Sequence, residues 1–464
     1  MTLPTKIVVI GAGSASFGEN TLSALMRSQK LKGSCLALVD RNQQNLDIVK
    51  RLADRLNREW NSGIIITAYT HHKEALDEAQ FVVSAIEVGP REELWKSDFE
   101  LPLRHGVRQP YAENGGPGGF AHAARNSLPV LEIARDMEQA CPEAWFINFT
   151  NPMVRICDLV NRYTKIKTVG LCHQIFIGYN FVGLLLAKEL GIHIPEGISG
   201  MQADIDEHDA RAIVLRQVLP LVDIRAAGTN HFSWILSMRR RDNGEDLYPL
   251  FKQRWEAYDP AFEPLTRRMY EAFGLFPVPG DTHLCEYLPW VSDPLTKPWD
   301  KYNLRLYDWD AWANMRDTSL NRLEKMADGS LPIDGMLHTD SEGALEMIEN
   351  IAGAGTHYHL AANMPNLGQI ENLPHNAIVE TPVIVDGSGI HPIQMGPLPT
   401  AIAELCRREL TAAQLGIDAA VSGDRQLALQ CLLLDPIITD IETAKTVLDD
   451  YLITYKKYLP QFWR

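Results

Sequence analysis

The sequence lacks an excess of positive charge: its 464 residues include 44 lysines and arginines against 59 aspartates and glutamates, a formal net charge of −15. This balance argues against a nucleic-acid-binding or membrane-surface protein, because both need a basic face. The sequence also lacks an apolar run close to the roughly 18 residues that span a bilayer. Its first residues lack the basic and apolar regions of a secretory signal, so we expect neither a membrane partner nor export.

Cysteine is scarce as well. The seven cysteines are scattered and odd in number, which does not suit the disulfide framework of a secreted scaffold. We therefore expect free thiols and a cytoplasmic location. Each thiol is then also available as a metal ligand.

The first half alternates short β-branched segments with longer amphipathic ones, and this pattern predicts a doubly wound α/β domain of Rossmann type. Leu46, Val49, Leu52 and Leu56 recur at near-helical spacing and predict a helix on one face of the sheet. The predicted strands are 6–10, 36–39, 64–67, 81–86, 145–148 and 168–171.

A glycine-rich turn follows the first predicted strand. Gly11 allows a tight turn, and Gly13 lets backbone N–H groups approach a pyrophosphate at the positive end of the next helix. Ser16 replaces the third glycine of the dinucleotide fingerprint, so the match is partial. Asp40 ends the second strand, where its carboxylate suits a ribose and repels a 2′-phosphate, which favours NAD over NADP. The alternative is a plain strand–helix turn with a surface aspartate. The candidate cofactor-binding residues are Gly11, Gly13, Ser14, Phe17 and Asp40.

The strand–helix alternation fades past about residue 175. We therefore predict an NAD-binding domain over residues 1–175 and an α+β catalytic domain over 176–464, with a helical region from about residue 401. No flexible linker separates the two parts, so we expect them to pack together. The apolar C-terminal residues 427–434 supply either an oligomer interface or a core. Large apolar residues are more often part of a core.

Polar residues follow the later predicted strands, where the ligands of an open parallel sheet collect. Cys172 follows such a strand and offers a thiolate, while His231 offers an imidazole; both are transition-metal ligands. Two protein ligands leave positions open for a substrate. The residues alone nevertheless favour an ordinary buried cysteine, because a separation of 59 residues is no ligand-like spacing.

Several motifs together resemble glycoside hydrolase family 4 and occur in that family's order. They are residues 6–18 with Asp40, EVGPREE at 87–93, YAENGGPGG at 111–119, NFTNPM at 148–153, GLCH at 170–173, GTNH at 228–231, GDTHLCEYLPW at 280–290 and NMPNLGQIENLP at 363–374. The resemblance implies glycoside hydrolysis that uses NAD and a divalent metal, usually manganese, in place of two catalytic carboxylates. It implies oxidation at C3, proton removal at C2, elimination of the aglycone, addition of water at C1 and return of the hydride.

The resemblance also implies the roles of individual residues. Cys172 and His231 match the metal ligands, Asn151 and Asn230 match ligands of sugar hydroxyls, and Glu113 matches an active-site carboxylate. For catalysis, the resemblance indicates His173 as the acid and Asp281 as the C2 base, with Tyr287 as the alternative base and His283 in reserve. The structural alternatives are a histidine that orients a metal ligand, an aspartate in an Asx turn and a buried tyrosine with a satisfied hydroxyl.

The family's CH motif, here Cys172-His173, implies an unphosphorylated α-linked sugar. The segment CHQIF resembles the α-galacturonidase branch slightly more than the α-galactosidase branch, although Gln174 stands where that branch has glutamate. A uronate substrate needs a cation beside its carboxylate. The bidentate fork of an arginine suits that carboxylate. The candidates are Arg91, Arg104, Arg108 and Arg125.

We therefore predict an NAD- and manganese-dependent α-glycosidase whose partner is a small glycoside. The resemblance further implies a lactate/malate dehydrogenase-like architecture and a homodimer or homotetramer. The alternatives are an NAD-dependent hydroxy-acid dehydrogenase, which turns NAD into NADH stoichiometrically, and a non-enzymatic NAD-sensing protein.

Overall fold

One mixed β-sheet runs through the computed structural model, which describes residues 2–14, 20–196, 198, 201, 208–338 and 341–464. The strands in these ranges are β1 (Lys6–Ile10), β2 (Cys35–Val39), β3 (Ile65–Tyr69), β4 (Phe81–Ser84), β5 (Trp145–Asn148), β6 (Lys167–Gly170), β7 (Val222–Thr229), β8 (Phe232–Arg240), β9 (Phe276–Pro277), β10 (His357–Pro365), β11 (Ile378–Asp386) and β12 (Gly389–Pro392). Their order is β3-β2-β1-β4-β5-β6-β10-β11-β7-β8-β9, and β12 pairs with β11.

The first six strands are parallel, as predicted for a doubly wound sheet. Successive side chains of β1 point to opposite faces, so that Val9 joins one apolar cluster and Val8 the other. All six predicted strands are confirmed, with small differences at their ends. The strand predicted over 81–86 ends at Ser84, because the Ile86 N–H donates to the Thr150 hydroxyl (3.0 Å) rather than to a neighbouring strand.

Helices cover both faces of this parallel half. The α-helices in the described ranges are α1 (Leu22–Arg27), α2 (Gln43–Glu59), α3 (Arg91–Leu103), α4 (Gly116–Ala140), α5 (Met153–Tyr163), α6 (Gln174–Leu185), α7 (Ala187–Leu190), α8 (His208–Val218), α9 (Tyr248–Ala257), α10 (Pro264–Phe273), α11 (Gly280–Leu284), α12 (Pro298–Lys301), α13 (Trp309–Asp328), α14 (Ala344–Glu349), α15 (Thr400–Ser422), α16 (Arg425–Leu434) and α17 (Ile441–Thr454). The predicted amphipathic helix is α2, which buries Leu46, Val49, Leu52 and Leu56. On the opposite face, α4 packs Val130 and Met137 against Val8 and Val82.

The second half of the chain extends the same sheet. β10 pairs antiparallel with β6 and with β11, and β11 pairs antiparallel with β7. Residues on both sides of position 175 therefore share one sheet, and the division at 175 stays a prediction. The expected fold class, a Rossmann-type doubly wound sheet followed by an α+β part, is confirmed.

The predicted helical C-terminal region is confirmed as α15, α16 and α17. Helix α15 packs on α4 and α5, and α16 packs on α15 and α17. In the segment 427–434, Leu432 is buried at 1% exposure, whereas Leu433 and Leu434 are 37% and 38% exposed. No helix in the described ranges is both long and apolar enough to cross a membrane.

Truncation of two adjacent leucines tests this packing. Leu432→Ala is expected to lower the free energy of unfolding by about 2–5 kcal/mol, because it leaves a cavity in the core. Leu433→Ala removes the same atoms from an exposed side chain and is expected to change that free energy by about 0.5 kcal/mol or less. Denaturant unfolding followed by tryptophan fluorescence measures both. Equal losses for the two variants would contradict the placement of Leu432 in the core and Leu433 at the surface. A change in oligomeric mass for Leu433→Ala would identify the exposed leucines as an interface.

Candidate active site

The predicted nucleotide turn is present at the carboxyl end of β1. Gly11 has φ +88°, and a Cβ there would lie 2.4 Å from the carbonyl oxygen of Ala85. The Gly13 N–H donates to Asp40 Oδ2 (2.8 Å), and the Asn42 N–H donates to Asp40 Oδ1 (2.8 Å). These bonds hold the Asp40 carboxylate beside the glycine turn. Each oxygen keeps a further lone pair that can accept from a hydroxyl group.

The remainder of the predicted cofactor site is described in part. The Ser14 N–H donates to the Gly11 carbonyl oxygen (3.2 Å) and closes the turn. Phe17 falls within residues 15–19, outside the described residues, so its contact with a cofactor stays a prediction.

The sheet brings Cys172 and His231 together. Cys172 lies two residues beyond the end of β6, and His231 lies in the two-residue turn between β7 and β8 with φ +64°. Cys172 Sγ lies 3.4 Å from His231 Nε2. Two ligands of a tetrahedral ion, at about 2.3 Å for sulfur and about 2.0–2.1 Å for nitrogen, lie about 3.5 Å apart. The observed separation therefore fits a pair of ligands to one cation.

The pKa shifts of Cys172 and His231 also suit the binding of a cation. Burial and the charges of His283 and His173 lower the pKa of His231, so its imidazole is neutral and able to bind a metal. Burial and the charge of Glu380 raise the pKa of the Cys172 thiol. The thiol therefore keeps its proton until a cation replaces it.

Unpartnered polar atoms surround this pair. His231 Nδ1, Asn230 Oδ1 and Asn151 Oδ1 are buried, and none has a hydrogen-bond partner in the described part of the chain. Buried polar atoms are normally paired, so unpaired ones require an explanation. A thiolate, an imidazole and free carboxamide oxygens are together suited to a divalent cation and to the hydroxyl groups of a sugar.

A buried carboxylate cluster borders the Cys172–His231 pair. Ligand atoms of Glu113, His231 and His283 lie within 4.8 Å of one another. The His283 ring stacks on the His231 ring with centroids 4.0 Å apart. Glu286 accepts from the backbone N–H groups of Glu113 (2.7 Å) and Asn114 (2.9 Å), and its other oxygen lies 3.3 Å from His283 Nδ1.

Glu113 itself is held by three donors. Arg91 donates to Glu113 Oε1 at 2.8 Å, Asn151 donates to the same oxygen at 3.4 Å, and Asn114 donates to Oε2 at 3.0 Å. The structure therefore brings the predicted residues Glu113 and Asn151 into contact. It places the Arg91 guanidinium on a protein carboxylate.

Glu87 is a third acid beside Glu113 and Glu286. His122 Nε2 lies 2.9 Å from Glu87 Oε2, and Arg91 Nε lies 3.9 Å from the same oxygen. Burial raises the pKa of Glu87, but the positive charges of His122 and Arg91 outweigh burial and hold the pKa at about 2. Glu87 is therefore ionised throughout the physiological pH range.

The three predicted catalytic residues occupy different environments. The His173 side chain is 65% exposed, and its Nδ1 lies 3.3 Å from Glu342 Oε1, whose charge raises the pKa of His173. Tyr287 is buried, and its hydroxyl donates to the carbonyl oxygen of Asn230 at 3.4 Å. Burial raises the pKa of that hydroxyl.

Asp281, the third, lies in the interior. Its oxygens accept from the backbone N–H groups of Leu265 (3.0 Å) and Thr266 (2.7 Å), at the first turn of α10. Its own N–H donates to Glu263 Oε2 (2.6 Å). Asp281 is completely buried. The structure thus gives Asp281 contacts that anchor α10 to α11, and its predicted role as the C2 base stays a prediction.

The predicted arginines also differ in their contacts. Arg125 makes a bidentate pair with Asp98 at 2.7 and 2.6 Å. The Arg108 guanidinium lies 4.0 Å from the Trp299 ring centroid, and its buried Nη1 has no hydrogen-bond partner in the described ranges. Arg104 is exposed. Arg125 Nε is also buried and without a partner in these ranges, but Asp98 balances the charge of Arg125, whereas Arg108 has no such ion pair among the described residues.

The fold is that of an α/β protein of the Rossmann class, and its site places a cysteine and a histidine side by side at the carboxyl edge of the sheet. The family model for family 4 glycosyl hydrolases matches residues 6–188, and the model for the C-terminal domain of that family matches residues 226–438. The chain belongs to glycosyl hydrolase family 4, as the motifs indicated.

Named relatives act on several sugars. The chain is 30% identical to an α-galactosidase from Bacillus subtilis (strain 168) over 98% of this chain and 99% of the relative. It is 29% identical to an α-glucosidase from Erwinia rhapontici, over 94% of each chain. It is 28% identical to an α-galacturonidase from Thermoanaerobacterium saccharolyticum, over 98% of this chain and 96% of the relative. The family is thus shown, and the sugar is left open.

Solved structures share the fold over the whole length. A crystal structure described as a candidate glucosidase, lplD, from Bacillus subtilis has a TM-score of 0.82 at 26% identity, covering 97% of this chain and 100% of that one. A 6-phospho-α-glucosidase from gut microorganisms, in complex with NAD and Mn²⁺, has a TM-score of 0.78 at 19% identity and covers 99% of both chains. The second likeness shows the fold alone.

Two buried acids of the site were not predicted. Glu286 lies three residues after His283, a helical spacing that places both on one face, and this spacing was the available signal. Glu380 lies in the apolar strand β11, where an acid is unusual, and it accepts from Asn230 (2.9 Å) and Gln174 (2.8 Å). An acid within an apolar strand is a local signal of a buried polar contact.

Two glycine substitutions test the nucleotide turn. Gly11→Ala is expected to destabilise the fold more than Gly33→Ala, although both glycines have positive φ (+88° and +92°). The left-handed backbone costs each alanine about 1–2 kcal/mol. At Gly11 the new Cβ would also clash with the backbone, because it lies 2.4 Å from the carbonyl oxygen of Ala85. At Gly33 the nearest atom is in the side chain of Pro4, at an ordinary contact distance of 3.5 Å. Denaturant unfolding measures the difference, and equal losses would contradict the close approach.

A pH series tests the charge on Glu87. Because its pKa in the fold (about 2) is below its ordinary value of 4.5, ionised Glu87 stabilises the fold above about pH 4.5, and this stability is lost as the pH falls towards 2. Glu87→Gln is therefore expected to be less stable than the natural protein near neutral pH, with the gap closing below pH 4.5. Glu143→Gln, at an 87% exposed side chain, is the control. A difference in the free energy of unfolding that does not change with pH would contradict a lowered pKa of Glu87.

Proposed function

We propose that this chain hydrolyses an unphosphorylated α-hexoside or α-hexuronide, with α-galacturonides and α-galactosides as the leading substrates. The observation that carries the proposal is the Cys172–His231 pair, 3.4 Å apart at the ends of β6 and β7. The free carboxamide oxygens of Asn151 and Asn230 support it, because they suit sugar hydroxyls. The proposed route is oxidation at C3, proton removal at C2, elimination of the aglycone, addition of water at C1 and reduction at C3.

Two bound groups belong to this proposal. NAD, when bound, supplies reversible hydride transfer at C3, and Gly11, Gly13, Ser14 and Asp40 would hold it. A divalent cation such as Mn²⁺, when bound, supplies Lewis-acid stabilisation of the negative charge that develops at C2 and C3, and Cys172 and His231 would hold it. The cysteine must stay reduced for this purpose, and all seven cysteines are free. We therefore also propose a reducing, cytoplasmic location.

His173 is the proposed acid for the leaving oxygen. Its exposed ring faces Glu342, whose charge raises the pKa of His173 and keeps the imidazole protonated nearer to neutral pH. A protonated and accessible imidazole can donate a proton to a departing group.

Of the two predicted bases, the geometry favours Tyr287. Asp281 is completely buried, and both of its oxygens are bound to the amides that begin α10, whereas the Tyr287 hydroxyl has one long bond, 3.4 Å, to a carbonyl oxygen. Burial raises the pKa of Tyr287, so the phenolate needs a nearby positive charge to form. We propose that Asp281 instead anchors α11, from which the segment bearing Tyr287 continues.

A substrate panel tests the proposed function. We expect release of p-nitrophenol from an α-galacturonide or α-galactoside only when NAD and Mn²⁺ are both present, without accumulation of NADH. α-Glucoside and α-glucuronide complete the panel. Cys172→Ser is expected to lower the rate by more than about 100-fold while NAD binding, followed by fluorescence, persists. Cys35→Ser, at the distant start of β2, is the matched control and should keep full activity.

The alternatives give opposite results in the same assays. Stoichiometric NADH from a simple hydroxy acid would support the dehydrogenase and contradict the proposal. Hydrolysis that needs neither NAD nor metal would contradict the route, and a Cys172→Ser protein with unchanged activity would remove Cys172 from the site.

A further inference from the structure

Glu380 is a buried carboxylate that sequence and family motifs leave without a role. It lies in the middle of β11 at 2% exposure. In the described part of the chain, its partners are neutral: Gln174 donates at 2.8 Å, Asn230 at 2.9 Å and Asn363 at 3.2 Å, and no ion pair with Glu380 is formed. A buried charge without a cation is costly, so this position calls for an explanation.

The strand register places Glu380 behind the cysteine–histidine pair. Glu380 is opposite Asn363 in β10 and opposite Gly228 in β7, while Asn363 is opposite Gly170 in β6. Cys172 follows Gly170 by two residues, and His231 follows Gly228 by three.

Hydrogen bonds connect Glu380 to the neighbours of both proposed ligands. The carboxamide nitrogen of Asn230, the residue before His231, donates to Glu380 Oε1 (2.9 Å), and Gln174, two residues after Cys172, donates to Glu380 Oε2 (2.8 Å). Because Glu380 binds the amide nitrogen, the carboxamide oxygen of Asn230 must point elsewhere. That oxygen is buried and has no partner in the described residues. Glu380 thus fixes which end of the carboxamide is available for a ligand.

We infer that Glu380 is a positioning residue of the cation site: its negative charge, with that of the Cys172 thiolate, attracts a divalent cation, and its bonds to Asn230 and Gln174 hold the side chains next to His231 and Cys172. Three side-chain amides, from Gln174, Asn230 and Asn363, donate to the carboxylate and stabilise its ionised form. Burial is the larger effect and raises the pKa of Glu380, and a cation bound nearby favours the ionised form again. This inference rests on the proposed cation site at Cys172 and His231. Outer contacts of this kind typically change metal affinity by about 10–100-fold when they are removed.

Mn²⁺ binding to the full-length protein tests the inference without catalysis. Titration calorimetry and the electron paramagnetic resonance of free Mn²⁺ would give the dissociation constant without NAD or sugar. Glu380→Gln is expected to bind Mn²⁺ about 10–100-fold more weakly. Glu380→Asp keeps the charge on a shorter side chain and is expected to lose less affinity. Asp435→Asn, another buried carboxylate but in the C-terminal helices, should bind as the natural protein does.

A thermal-stability readout separates this role from a purely structural one. Without Mn²⁺, Glu380→Gln is expected to melt at or above the temperature of the natural protein, because an uncompensated buried charge has been removed. The rise in melting temperature on adding Mn²⁺ should be smaller than in the natural protein. A lower melting temperature with unchanged Mn²⁺ affinity would overturn the inference and make Glu380 a structural residue.

Cys172→Ser separates a failure of the proposed cation site from a failure of the role inferred for Glu380. If the natural protein and Cys172→Ser bind Mn²⁺ equally, the proposed cation site fails, and with it the proposed function. If Cys172→Ser loses Mn²⁺ binding while Glu380→Gln and Glu380→Asp retain it, only the inference on Glu380 fails. If both Glu380 variants lose affinity equally, the geometry of the carboxylate matters and its charge does not, which overturns the electrostatic part.

Discussion

The active site depends on the antiparallel pairing that joins the two halves of the sheet. β10 pairs with β6 on one side and with β11 on the other, and β11 pairs with β7. This order brings the end of β6 close to the hairpin between β7 and β8. Cys172 and His231, 59 residues apart in the chain, therefore meet at 3.4 Å. The parallel half supplies the nucleotide turn and Cys172, and the added strands supply His231.

Buried negative charge is the second constraint on the site, and the chain stabilises it in different ways. Glu113 is paired with Arg91. Glu286 accepts from two backbone amides, and Glu380 accepts from side-chain amides. The last two have no arginine or lysine partner in the described residues. Neutral donors lower the cost of burying a carboxylate without cancelling a charge that it carries, and this is the basis of the role that we propose for Glu380.

Local patterns predicted the elements whose contacts are local. The six parallel strands, the amphipathic helix α2 and the turn at Gly11 follow from side-chain periodicity and from the conformational freedom of glycine, which the sequence displays directly. The meeting of Cys172 with His231 depends on the order of strands far apart in the chain, and no spacing reveals that order. Family motifs supplied this pair, while composition and spacing favoured an ordinary buried cysteine.

The motifs did not supply the contacts that distinguish neighbouring roles within a segment. In GDTHLCEYLPW, Asp281 and Glu286 are both acids, yet one anchors the first turn of α10 and the other faces His283. The two side chains point in different directions, because they leave different turns of a short helical segment. Which way each side chain points depends on how α10 and α11 pack. The role of Glu380 was missed for a related reason: an acid in a mostly apolar strand signals a buried polar contact, but its partners Asn230 and Asn363 come from other parts of the chain.

The choice of sugar is a question of charge. A galacturonide brings another carboxylate to a site that already holds several, whereas a galactoside brings none. Arg91 and Arg125 are neutralised by Glu113 and Asp98, so neither offsets a substrate anion. Arg108, with a buried Nη1 that lacks a partner in the described ranges, is the arginine that can do so. A uronate is therefore accommodated if the Arg108 donor reaches its carboxylate, and a neutral hexoside is favoured if it does not.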